Sequence, residues 1–145
     1  MNARVFETRS EEETIAVGEQ IARSLPSRAL VLLIGNLGAG KTTLAKGIVK
    51  GLGAAAPEEV SSPTFTLIHE YGEGGRVYHI DLYRLDRARE VAGLGLDELF
   101  DREAVVLIEW GERFPQLLPA ERIEIRLEPH GETERTITVT TPLGF

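Results

Sequence analysis

The chain has 145 residues, 42% hydrophobic and 27% charged, no cysteine and a formal net charge of −7. That length suits one domain over 1–145 with room for a real core, and no apolar run approaches the roughly 20 residues that cross a bilayer, so no membrane association is expected. The acidic balance argues against a general nucleic-acid binder, the lack of cysteine excludes disulfides and thiolate metal sites and fits a reducing cytosol, and residues 1–4 lack the apolar stretch of a signal peptide, so none is expected.

Residues 5–8 read as a short edge strand. Ser10 then reads as a helix N-cap, with Glu13 reaching back and acids filling the first turn. Ile15, Ile21, Ala22 and Leu25 supply the apolar stripe of that helix, and Pro26 lies beyond its end. Ala29–Ile34 is continuously apolar, as a buried strand should be. It leads into Gly35-Asn36-Leu37-Gly38-Ala39-Gly40-Lys41-Thr42, which fits the phosphate-loop pattern G-x-x-x-x-G-K-[ST] at every fixed position. Residues 43–50 read as the helix that must follow such a loop; Leu44, Ile48 and Leu52 recur every four residues, and Gly53 suits the C′ position.

Residues 54–63 form a loop with two prolines. Residues 66–71 and 76–83 read as a hairpin around Gly72-Glu73-Gly74-Gly75. In its second arm Tyr78, Ile80 and Leu82 share one face, and His79, Asp81 and Tyr83 the other. Residues 89–100 read as helix, weakened by Gly93 and Gly95. Residues 104–108 form a second buried strand, ending at Glu109-Trp110, and 114–119 a short helical turn between prolines. Residues 122–128 and 135–140 read as a terminal hairpin. The fold class is therefore α/β: a P-loop NTPase fold with a mainly parallel sheet flanked by helices, plus β-hairpins.

The chemistry follows from the loop. A di- or triphosphate carries several negative charges, met here by successive backbone N–H groups and the positive end of a helix. Lys41 adds a point charge on the β/γ-phosphates, and the Thr42 hydroxyl suits a Mg²⁺ ligand. A second carboxylate belongs at the end of a buried strand beside the loop strand; Glu109 has that position, unless it merely ends a strand. Asp81 is open to three roles, orienting the attacking water, general base, or the outer shell of the metal, unless it is simply a solvated strand acid. His79 and Asp81 alone make a poor transition-metal site. Thr64, in a loop after the phosphate-loop helix, suits a switch residue or a turn. Trp110 suits either core or interface filling or a contact with a partner or the nucleotide pocket, and Arg84 and Arg113 are candidate charge stabilisers.

These segments occur in one order: the phosphate loop, Ser62-Pro63-Thr64-Phe65, His79-Ile80-Asp81-Leu82-Tyr83-Arg84, Gly95-Leu96-Asp97-Glu98 and Ile108-Glu109-Trp110. In this the chain resembles the bacterial TsaE (YjeE) family over roughly residues 5 to 141. The resemblance implies Mg²⁺-dependent ATP hydrolysis to ADP, slow without partners, in the service of the t6A modification at position 37 of ANN-decoding tRNAs. It implies docking onto the TsaB–TsaD heterodimer, with tRNA met only indirectly. Carried over, Leu37, Gly38, Ala39, Gly40, Lys41, Thr42 and Thr43 hold the phosphates, Thr42 and Glu109 the magnesium, and Thr64 matches the switch loop. Asp81 and Trp110 match activity-linked positions. Adenine contacts are expected near Thr8 or Arg135.

The base can be argued independently. A guanine reader offers Asn-Lys-x-Asp, and the chain's asparagines are Asn2 and Asn36, so ATP is favoured over GTP. Two other functions compete with the ATPase: a nucleotide-gated binding module whose hydrolysis is incidental, and a small-molecule kinase, for which no basic lid stretch is evident beyond residues 84–89.

Overall fold

The structure is a computed structural model that describes residues 2–74 and 76–142; Gly75 of the expected hairpin turn and the chain ends lie outside the described residues. Seven strands form one sheet: β1 (Asn2–Thr8), β2 (Ala29–Ile34), β3 (Ile68–Tyr71), β4 (Val77–Asp81), β5 (Val105–Glu109), β6 (Ile123–Pro129) and β7 (Arg135–Thr141). Their order is β1-β7-β6-β2-β5-β4-β3. The central pairs β6–β2, β2–β5 and β5–β4 are parallel, and β1–β7, β7–β6 and β4–β3 are antiparallel. Two antiparallel steps bring β1 back to the direction of the centre, so only β7 and β3 run against the rest. The sheet is mainly parallel with hairpins towards both edges, as the sequence predicts.

Helices α1 (Glu11–Ala22) and α2 (Lys41–Gly51) cover one face, where Ile21, Leu44 and Ile48 pack on Val31, Leu33, Leu107 and Ile125. The other face is covered by α3 (Ala88–Ala92), α4 (Leu96–Phe100) and two 3-10 turns, Gly111–Arg113 and Pro115–Leu117; there Val91, Phe100 and Phe114 meet Leu32, Ile80 and Ile108. With helices on both faces, β2, β4 and β5 are buried along their whole length, which is why two of them read as unbroken apolar runs. The start of α1 is capped as expected. Ser10 Oγ accepts the Glu13 N–H at 3.1 Å, and Glu13 reaches back to accept the Arg9 N–H at 2.7 Å. α1 and α2 touch backbone to backbone at Gly47, where a Cβ would stand 2.1 Å from the Ile15 carbonyl oxygen.

The hairpin's second arm, expected at 76–83, is the shorter Val77–Asp81, and four further boundaries differ from the sequence reading. β1 begins at Asn2, because its register with β7 continues to Thr141. The hairpin's first arm begins at Ile68, not 66: Leu67 adopts φ 70°, its N–H donates to Pro63 O at 2.7 Å, and its carbonyl accepts the Asp81 N–H at 2.9 Å. Residues 89–100 are two five-residue helices parted at Gly95, whose φ of 72° no α-helix continues through. The helical turn expected at 114–119 is the pair of 3-10 turns, which starts earlier, at Gly111.

Candidate nucleotide site

The parallel strands end on one side of the molecule, and the candidate residues converge there. Glu109 closes β5, with Leu33 of β2 opposite it on one side and Asp81 of β4 on the other. The loop after β2 turns through Gly38 (φ 78°) and Gly40 (φ 100°), conformations open to glycine and strained for other residues. Gly40 is the N-cap of α2 and supplies no side-chain cap, which leaves the first-turn N–H groups available to an anion.

A cavity of about 500 Å³ lies across these ends. Leu37, Gly38, Gly40, Lys41, Thr42 and Thr43 form its floor, while Ala39 is buried beneath the loop. On the β4–β5 side it is walled by Ser62, Thr64, Asp81, Tyr83, Glu109 and Trp110. On the β7 side the wall is Ser10, Glu11, Thr14, Glu132, Thr133 and Arg135.

Thr42 and Glu109 meet as the sequence suggests: Thr42 Oγ1 donates to Glu109 Oε2 at 3.2 Å. Two hard oxygens beside a phosphate loop suit Mg²⁺, which takes one or two protein ligands and completes its shell with water and substrate phosphates. His79, fully buried, donates from Nε2 to the same Glu109 oxygen at 2.6 Å, so it steadies the acid. The sequence reading placed His79 on the right face but missed this bond. Its signal was there: a histidine on the inner face of a strand, two residues before an acid that also lines the site.

Lys41 is 5% exposed. Its Nζ donates to the Gly35 carbonyl at 2.7 Å and sits 3.6 Å from the centre of the Trp110 ring. Burial pushes its ammonium below the ordinary lysine range, against the opposing pull of Glu109, Glu112 and Asp81. Trp110 takes φ 67°, rare for a bulky residue, and leans on Tyr83 at 5.1 Å.

Asp81 is fully engaged. Oδ1 accepts the Tyr83 N–H at 2.8 Å, and Oδ2 accepts from the hydroxyls of Thr64 at 3.2 Å and Ser62 at 3.3 Å. Ser62, which the sequence reading did not weigh, therefore belongs to this wall. Arg113 donates to the carbonyls of Leu82, Tyr83 and Leu85, which fixes the turn after β4. Arg84 stacks on the exposed Phe65 ring at 5.2 Å; the cavity lining includes neither arginine. Thr8 is buried and stands behind the wall, hydrogen-bonded at 2.8 Å to Thr14, which does line the cavity. Among the described residues no three His, Cys, Asp or Glu side chains gather as a metal cage, and no helix is long and apolar enough to cross a membrane.

The chain is similar to known proteins over most of its length. The family model described as threonylcarbamoyl adenosine biosynthesis protein TsaE matches residues 8–137. A tRNA threonylcarbamoyladenosine biosynthesis protein TsaE of Bacillus subtilis is 42% identical over 136 residues, covering 93% of this chain and 84% of the relative. The protein of the same name from Nostoc is 41% identical over 134 residues, covering 89% and 80%. The crystal structure of Bacillus subtilis YdiB superposes with a TM-score of 0.77 at 36% identity, covering 97% of this chain and 86% of that one.

Proposed function

Since the chain belongs to the TsaE family of threonylcarbamoyl adenosine biosynthesis proteins, we propose that it is a cytoplasmic, Mg²⁺-dependent ATPase whose cycle of ATP to ADP and phosphate resets or activates a TsaB–TsaD complex during t6A synthesis on tRNA. The observation that carries this reading is the meeting of Thr42 and Glu109 at 3.2 Å beside a glycine loop whose helix start is uncapped. The loop amides from Leu37 to Thr43 bind the phosphates, and Lys41 moves from the Gly35 carbonyl onto their terminal charge. Thr42 and Glu109 would hold Mg²⁺, which when bound neutralises charge on the transferring phosphoryl group. His79 keeps the Glu109 carboxylate turned to the cavity. Thr64 contacts the terminal phosphate once it leaves Asp81 Oδ2, and that oxygen, still steadied by Ser62, orients the attacking water.

The test is turnover of Mg·ATP by Lys41→Ala. Losing a charge aimed at the transition state should slow hydrolysis by about 10²–10³; wild-type turnover would remove the site assignment.

One observation favours a second reading, a nucleotide-gated binding module. Ser62 and Thr64 are tied to Asp81 by hydrogen bonds that a bound phosphate can exchange, so occupancy alone can reorder the segment. Glu109→Gln that binds ATP without hydrolysing it separates the two: full support of tRNA modification by that variant favours gating.

A further inference from the structure

The Arg135 side chain reaches the phosphate loop from the opposite end of the sequence. Nε donates to the Ala39 carbonyl at 2.8 Å and Nη2 to the Gly38 carbonyl at 3.2 Å. Nη2 also donates to Glu132 O at 3.1 Å, and Nη1 to Glu134 O at 2.8 Å and Gly131 O at 3.4 Å. A guanidinium has five N–H donors, and here each has a backbone carbonyl, two on the loop and three on the β6–β7 turn. No donor is left for a base or a phosphate. The approach is close: a Cβ at Gly40 would stand 3.4 Å from Arg135 Nε.

We propose that Arg135 is a positioning residue, a clamp that orders the phosphate loop by holding its outward carbonyls; the proposal rests on the nucleotide-site reading above. A loop that aims successive N–H groups at an anion must point carbonyls away from it. Those of Gly38 and Ala39 need donors, and a loop with glycines at 35, 38 and 40 loses much conformational freedom when it orders. Holding both carbonyls from outside settles that cost before the ligand arrives, so the clamp acts on affinity. It also ties the Glu132–Thr133 wall of the cavity to the loop. A lysine cannot replace it, since one ammonium with three donors cannot span two loop peptides and three turn peptides. With every N–H engaged, Arg135 serves the site by holding the loop rather than by donating to adenine.

The experiment measures Mg·ATP and Mg·tripolyphosphate binding by calorimetry, and ATP turnover, for the full chain, Arg135→Lys and Arg135→Ala. Two lost hydrogen bonds to the loop predict affinity lower by about tenfold or more. The loss should be equal for the two ligands, since tripolyphosphate has no base, and as large for Arg135→Lys as for Arg135→Ala. KM should rise by that factor with kcat within about twofold of wild type. Loss confined to ATP would make Arg135 a base contact and overturn the clamp. Wild-type binding by Arg135→Lys would overturn it too, by showing that charge suffices. If Arg135→Ala does not fold, Arg135→Lys, which keeps most of the aliphatic stem, decides. A wild-type chain that binds neither ligand would instead overturn the nucleotide site itself.

Discussion

His79→Phe separates the support of Glu109 from the stability of the fold. The imidazole is fully buried, its Nε2 bonds Glu109 Oε2 at 2.6 Å, and its Nδ1 is buried with no partner among the described residues. A hydrogen bond to a charged group contributes about 1.5–3 kcal/mol, and an unsatisfied buried polar atom costs about 1–3 kcal/mol. Phenylalanine loses the first and removes the second in a similar volume, while Glu109 keeps the Thr42 hydroxyl. The two changes nearly cancel. At roughly 2–4 °C per kcal/mol for a chain of about this size, the thermal midpoint should stay within about 4 °C of wild type. Turnover should not survive so well. Glu109 loses its lateral support, and a misplacement of about 1 Å costs on the order of 10² in rate. Thermal melting of the free protein, paired with Mg·ATP turnover, measures both. Wild-type turnover would refute the role given to His79. A midpoint drop beyond about 10 °C would show that the hydrogen bond dominates.

Three further predictions follow from the same geometry. Lys41 carries a lowered pKa in the free protein because of burial, and bound phosphates favour its ammonium. Nucleotide binding should therefore take up protons in the alkaline range, and affinity should fall as pH rises through the free-state pKa; calorimetry in buffers of different ionisation enthalpy reads this, and zero proton exchange would contradict it. Trp110 is the only tryptophan and lies 3.6 Å from Lys41 Nζ, so its emission should change when Mg·ATP draws Lys41 away and stay constant in Lys41→Ala. Gly47→Ala would force a Cβ to within 2.1 Å of the Ile15 carbonyl oxygen. Overpacking of this kind costs about 1–3 kcal/mol or more, so its midpoint should drop by several degrees; an unchanged midpoint would mean that α1 and α2 part freely.

Much of the molecule was legible in one dimension because its determinants are local. The Ser10 cap and Glu13 lie three residues apart, Leu44 and Ile48 one helical turn apart, and the loop glycines within a single turn of chain. Unbroken apolar runs at Ala29–Ile34 and 104–108 report helices on both sheet faces without saying which. Boundaries failed where backbone geometry overrode propensity, as at Leu67, whose left-handed φ is fixed by hydrogen bonds to Pro63 and from Asp81.

Alternation along a strand assigns a side chain to a face but names no neighbour. The bond from His79 to Glu109 spans 30 residues and exists because β4 and β5 pair in a register that sets Asp81 beside Glu109. Arg135 reaches Gly38 across 97 residues because β7 lies beyond β6, next to the loop strand β2. Residue type and local spacing determined the phosphate loop, the strand-end acid and the layers around the sheet. The partners of Lys41, His79, Asp81 and Arg135 were decided by strand order and register, since a hydrogen bond forms only between atoms that the assembled sheet brings within about 3 Å.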